Sequence, residues 1–260
     1  MKQNGKIISP DTFYKRISLN ASLITLVLSM AASLLITLGV LFYYIHYIKG
    51  VTRGGWIYRL FLLGREWSIP TYFSVILLFS SFLLLLFIAL SVKKRKSAYF
   101  PHWIVLTVGF LFMAADELLS FHERLGLFVR DCLKEDIHGY FFYSWVIVAI
   151  PLVVALALFF AKFWWNLPKR SKFTFIAAAI VYLGGCVGFE MMGGNHAEKH
   201  GIFNSTYCFF ETMEEGLEMF GIIIFIWGLL NHIEKHCQVE LRAFFKFTKK
   251  WAQSLPFVSK

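Results

Sequence analysis

The chain lacks most of the signatures by which a soluble catalyst is recognised. It has no glycine-rich phosphate loop, no nucleophile elbow, no internal repeat and no stretch that reads as a separate soluble domain. Those absences exclude a P-loop nucleotidase, an α/β-hydrolase core and a transporter built on visible inverted repeats. Charge is scarce as well, at 16% of 260 residues, and 4 cysteines are too few for a disulfide scaffold. Of these, Cys132 and Cys208 map to one side of the chain and leave a single disulfide open.

What fills the chain instead is apolar: 58% hydrophobic residues, 29 of them Phe, and a mean hydropathy of +0.62. One soluble core of this size cannot hide that much apolar surface, which points to an integral membrane protein. Runs long enough to span, about 20 residues each, lie near 19–48, 70–92, 102–122, 140–165, 173–194 and 206–231. The expected fold is an all-α polytopic membrane bundle of about six helices over residues 1–232, followed by a basic amphipathic tail over 233–260. The first run is longer than a signal-peptide core of roughly 7–15 residues and reads as a retained anchor. Ser68 and Pro70 open the second helix and Pro101 the third, while Pro151 predicts a kink inside the fourth.

Orientation follows from Lys and Arg. The N-terminal arm, the loops at 93–100 and 162–172 and the tail together hold 18 of the 26 basic residues, so both termini are expected to be cytoplasmic. The formal charge of +10 is then a topology signal and an affinity for anionic membrane lipids, and not a nucleic-acid footprint. The acids run the other way. Of 16, only Asp11, Glu234 and Glu240 fall on the cytoplasmic side, which puts any polar function at the outer face.

Asp116, Glu117, Glu123, Glu190, Glu211, Glu214, Glu215 and Glu218 all lie in or beside apolar segments. An ionisable group in the bilayer is costly unless it is paired, metal-bound or protonated, so such a cluster marks a functional site. On a continuous third helix Asp116, Ser120 and Glu123 share one face, and His122 reaches them only if the helix unwinds nearby. In the sixth, Glu211, Glu214, Glu215 and Glu218 follow i, i+3, i+4 and i+7. The fifth carries Glu190 in a glycine-rich frame from Gly184 to Gly194, then His196 and His200 at the i, i+4 spacing that grips a metal if the helix continues.

Carboxylates with a few imidazoles suit iron or manganese, with zinc a third candidate. The metal ligands expected are Asp116, Glu123, Glu190, Glu211, Glu215, Glu218, His196 and His200, with Glu117 and Glu190 as catalytic groups and Arg53, Arg59 and Arg65 as holders of an anionic headgroup. The competing structural explanation is a set of buried ion pairs with Arg53, Arg59, Arg65 or Arg124. Glu66, Glu198 and Glu214 read as a solvated rim.

The string Ile69 to Ser74, the pair Asp116-Glu117 with His122-Glu123, the glycine frame around Glu190, and Glu214-Glu215-Gly216-Leu217-Glu218 resemble a family of small bacterial multi-pass inner-membrane proteins of unassigned function. That resemblance spans roughly residues 50–232 and implies the six-helix layout, but no activity. His196, His200, Asp116, Ser120 and His122 also resemble the zinc hydrolase superfamily of alkaline ceramidases and adiponectin-type receptors, without its Ser–His spacing and with one helix fewer. Two function classes remain ahead of the rest: a metal-dependent membrane enzyme acting on a lipid-like substrate, and a cation- or proton-coupled transporter. A non-catalytic metal- or haem-binding assembly factor is the third, and a homo-oligomer is compatible with each.

Overall fold

Alternating apolar runs and polar breaks give a helical bundle. The computed structural model describes residues 17–51, 55–133, 137–244 and 246, and contains no strand among them. Helix α1 (Ala21–Tyr43) ends in a wide π turn at Tyr44–Ile48, and short α2 (Gly55–Phe61) occupies the following connection. Helices α3 (Ile69–Lys94) and α4 (Phe100–Leu119) form the next pair, and α5 (Phe121–Leu133) follows α4 after a single residue. Then come α6 (Val146–Asn166), α7 (Lys169–Leu183), a π segment at Gly184–Phe189, α8 (Glu190–His200) and α9 (Ser205–His236). Six of these stretches are long and apolar enough to cross a membrane: 21–48, 69–94, 100–119, 146–166, 169–200 and 205–236.

Local chemistry sets the starts. The Ser68 hydroxyl accepts from the Thr71 N–H at 3.2 Å, with Pro70 in the first turn of α3. Asn204 Oδ1 accepts from the Tyr207 N–H at 2.9 Å and caps α9. Pro151 lies inside α6, which is helical on both sides of it.

The centre is α9. Buried residues make up 67% of its most apolar window, against 39% or less in the other spans. Leu77, Leu78, Ala114, Met219, Ile222, Ile223 and Ile226 form one dry core around it, and Leu85, Ile88, Trp103, Phe163, Phe225, Leu229 and Ile233 form another further along. Glycines set the closest approach. A Cβ at Gly221 would lie 2.8 Å from the Tyr182 nitrogen, and one at Gly185 2.6 Å from the Glu214 carbonyl oxygen.

Both ends of the described chain meet at one end of the bundle. The Ile17 N–H donates to Gln238 Oε1 at 3.2 Å, and Gln238 Nε2 donates back to the Ile17 carbonyl at 2.9 Å. That end is called the termini end below. An even number of spans produces it, as the charge pattern requires.

Several boundaries differ from the sequence reading. The fifth span was expected to stop near 194 but continues to His200, because the π segment absorbs the glycines without ending the helix. Helix α9 reaches His236, and residues 238–244 are helical, with Cys237 and Leu241 buried against the bundle. The start of the expected tail is therefore part of the core, and residues 247–260 lie outside the described ones. All four cysteines are free, with Cys132 exposed and Cys208 buried, so they form no disulfide.

Gly221→Ala should destabilise the bundle by about 1–3 kcal/mol, because its methyl group meets backbone that cannot rotate away. Gly188→Ala, with nothing within 4 Å of the new Cβ, should stay within roughly 0.5 kcal/mol of wild type. Thermal unfolding in mild detergent compares the two; equal losses would contradict the packing described.

Candidate functional site

One residue decides the shape of the site. Helix α4 stops at Leu119 because Ser120 adopts the left-handed conformation (φ 50°, ψ 49°), and α5 leaves in a new direction from Phe121. That conformation is disfavoured for serine by about 1–2 kcal/mol, so the surroundings must hold it. They do so through the Ser120 hydroxyl, which donates to the Glu66 carboxylate, and through the Ser120 N–H, which donates to the Asp116 carbonyl at 2.6 Å. Trp67, beside Glu66, is also left-handed (φ 61°).

The break brings His122 inward. Its backbone N–H donates to Asp116 Oδ1 at 2.8 Å, and its Nδ1 lies 3.1 Å from Asp116 Oδ2. Both carboxylate oxygens act as acceptors, so Nδ1 carries the hydrogen and Nε2 of the neutral ring is left bare. The indole of Trp145 meets the His122 ring edge-on, with centroids 5.3 Å apart, and its Nε1–H donates to Glu190 Oε1 at 3.0 Å. A continuous third helix would have pointed His122 away; the condition under which it could join the site is the one the structure fulfils.

His122, Trp145 and Glu190 line a cavity of about 530 Å³ at the end of the bundle opposite the termini. Its carboxylates come from four helices: Glu117 from the last turn of α4, Glu123 from α5, Glu190 from the start of α8, and Glu211, Glu214 and Glu215 from α9. Arg65, Arg130 and Glu66 stand with them in the wall. Tyr143 and Tyr207 share a hydroxyl–hydroxyl contact of 3.0 Å beside the acids. A neighbouring hollow of about 380 Å³ shares Gly64, Arg65, Glu66, Tyr207 and Glu211 and adds Tyr43, Tyr47 and Phe203. Gly64 is tight against Glu211, where a Cβ would overlap the carboxylate.

The expected site residues separate into groups. Glu117, Glu123, Glu190, Glu211, Glu215 and Arg65 reach the cavity. Asp116 and Glu218 do not line it: Asp116 acts on it through His122, and Glu218 lies behind, where its Cγ would be 3.2 Å from a Cβ at Gly185. Arg59 is exposed on α2, away from the cavity wall, and Arg53 lies outside the described residues. His196 and His200 are on one helix with rings 4.8 Å apart, but His196 Nε2 bonds Asn204 Oδ1 at 2.9 Å and neither ring lines the cavity. The expected imidazole grip is thus committed to the α9 cap. Glu214, read as a solvated rim, stands in the cavity wall instead.

Two readings of the carboxylates can be set against this geometry. The ion pairs among the described residues are Arg95–Glu240, His122–Asp116 and His138–Glu198, so no Lys or Arg among them neutralises a cavity carboxylate. Among the described residues, then, no buried arginine pair locks the bundle, and Arg53 lies outside them. Equally, no three His, Cys, Asp or Glu side chains among the described residues converge closely enough to hold a metal ion. The eight-residue ligand set is not assembled as it stands, because Asp116 is turned to His122 and His196 to Asn204. The residues that sequence reasoning missed are Trp145, Tyr143, Tyr207 and Arg130. The aromatic ones carried no separate signal in a chain with 29 Phe, 8 Trp and 11 Tyr.

The fold and site together define a multi-pass α-helical membrane protein with an acidic cavity at one end. Residues 20–233 match a family described as a domain of unknown function (DUF8692), and the chain belongs to that family. No curated protein and no solved structure matches it.

Outside the spans the charges act on His122 and Glu123. Burial opposes a charge on His122, but Asp116 first, then Glu190 and Glu123, outweigh it and hold the imidazole above its ordinary value. Burial, followed by the Glu66 charge, pushes Glu123 up. A raised histidine favours the folded state fully below the unfolded-chain value, and that contribution disappears as pH rises through the folded one. NMR titration should place the His122 midpoint above that of free histidine, and Asp116→Asn should lower it; an unchanged midpoint in the variant would contradict the pairing.

Proposed function

We propose that the protein binds a divalent cation in the carboxylate cavity and acts as a metal-dependent enzyme on a lipid-like substrate at the outer face of a bacterial inner membrane. The observation that supports this is the cavity itself: seven carboxylates, Glu66 among them, line one space with no Lys or Arg among the described residues paired to them. Such a group of acids needs cations or protons to neutralise it. The positive-inside pattern of the loops supports the outer placement.

The donor set is carboxylate-rich with one imidazole nearby, which suits iron or manganese ahead of zinc. The ligand set is not preformed, so Glu190, Glu211 and Glu215 must turn toward one another to hold the ion. When bound, a divalent cation supplies Lewis acidity and an activated water. The chain's own residues do the rest. Asp116 fixes the His122 tautomer and leaves Nε2 free to take a proton. Trp145 orients Glu190, and Glu117 stands across the same space as a second base. Arg65 and Arg130 at the wall are placed to hold an anionic headgroup. The dry layer of Met219, Ile222, Ile226 and Leu77 beneath keeps water out of the rest of the bundle.

A second reading has its own support in the missing ligand triad: the carboxylates carry protons, and the protein is a proton- or cation-coupled transporter. Against it, two apolar cores lie between the cavity and the termini end.

Metal analysis of the protein purified in mild detergent separates the two. About two equivalents of iron or manganese, as in carboxylate-bridged pairs, should accompany wild type and be lost in Glu190→Gln and Glu215→Gln. Equal metal in all three proteins, or none in wild type purified without chelators, would contradict the metal-enzyme reading.

A further inference from the structure

At the termini end, far from the acidic cavity, the first turn of α7 and the last turns of α9 frame a separate hollow of about 240 Å³. Arg170, Ser171 and Thr174 line it from α7, and Asn231, Lys235 and His236 from α9. Its lining holds three basic side chains and no carboxylate. At its base Gly228 brings the two helices together, since a Cβ there would lie 2.8 Å from Thr174 Cγ2 and 2.9 Å from the Phe175 ring.

Three features point to an anion. The Arg170 guanidinium lies over the Trp227 indole, 5.1 Å from the ring centroid, which places the charge before any ligand arrives. The N–H groups that open α7, before Lys172 bonds back to the Pro168 carbonyl at 2.9 Å, lack intrahelical partners, and Pro168 at the cap has no side-chain acceptor for them. Ser171 is itself fixed from behind, its hydroxyl 3.0 Å from Nδ1 of buried His232. The position adds the source. Trp165, 81% exposed, and Lys172, whose Nζ lies 5.1 Å from that indole, mark the membrane–water boundary one turn away. A phosphate at headgroup depth meets these groups without leaving the lipid layer.

We propose that this hollow binds a phosphate group, carried by an anionic phospholipid headgroup of the leaflet at the termini end. Arg170 and Lys235 hold the phosphate oxygens, and the apolar base beside Gly228 and Pro168 receives the glycerol end of the lipid. Nothing in this assignment depends on the function proposed for the acidic cavity.

The test uses the full chain, delipidated in detergent, and three probes: dioleoylphosphatidylglycerol, dioleoylphosphatidylcholine and inorganic phosphate. Native mass spectrometry and thermal melting should show phosphatidylglycerol bound and stabilising, and the Arg170→Gln/Lys235→Gln protein should bind it about tenfold or more weakly. The Arg170→Lys/Lys235→Arg protein keeps both charges and should retain most of the binding, which separates lost contacts from lost folding. Stabilisation of wild type by inorganic phosphate, again lost in the glutamine variant, would support the phosphate site with a soluble source. Equal phosphatidylglycerol binding by wild type and the glutamine variant, or equal preference for phosphatidylcholine, would overturn the proposal.

Discussion

Four carboxylates on one stripe of the central helix cannot remain charged and uncompensated at membrane depth, and much of the structure follows from that constraint. Glu211, Glu214 and Glu215 face a shared cavity, with Glu218 one turn deeper behind Gly185. No arginine or lysine among the described residues pairs with them, so the bundle keeps space in front of the acids. Around that space stand polar groups that are held in place: the Trp145 indole on Glu190, the Tyr143–Tyr207 pair, and His122 on Asp116. Beneath it, Met219 begins a run of apolar side chains that continues to Leu230. The same helix is an acidic wall in one half and a core in the other.

The break at Ser120 turns this wall into a chamber. Were α4 to continue, α5 would project away from α9 and His122 would face lipid. The left-handed serine redirects the chain so that α5 closes the side of the cavity, and the bond from Ser120 to Glu66 ties that turn to the connection between α2 and α3. Ser144, donating to the Gly126 carbonyl at 2.7 Å, fastens the far side of α5 to the entry of α6. Strain at one residue is thus compensated by contacts from two other connections.

The spans were legible because each is a long apolar run bounded by proline, a capping residue or a charge, and these signals are local. The carboxylate set was legible too, since an acid inside such a run stands out whatever surrounds it. Three features were not. The turn at Ser120 has no local signature, because serine rarely adopts that conformation and the side-chain contact that stabilises it there comes from Glu66, far away in sequence. The glycine frame at 184–194 reads as the end of a helix, whereas tight packing against Glu214 keeps it helical with a π segment. The partner of His196 could not be inferred from its spacing to His200, because Asn204 competes for it across a turn that exists only once α9 is capped. In each case a tertiary contact overrode a local pattern.

The two ends of the molecule differ in sign: an acidic chamber at one and a basic rim at the other, with a dry core between them. That polarity fits chemistry confined to one membrane face. The proposed function requires the acids of the chamber to bind a divalent cation. Calorimetric titration of the metal-stripped protein with Mn²⁺, in two buffers of different ionisation enthalpy, tests it most directly. Binding that releases protons, and that is abolished in Glu190→Gln, is the predicted result, since carboxylates neutralised by protons must give them up to the metal. Absence of saturable binding at any pH from about 6 to 8, around the range in which free imidazole titrates, would contradict it.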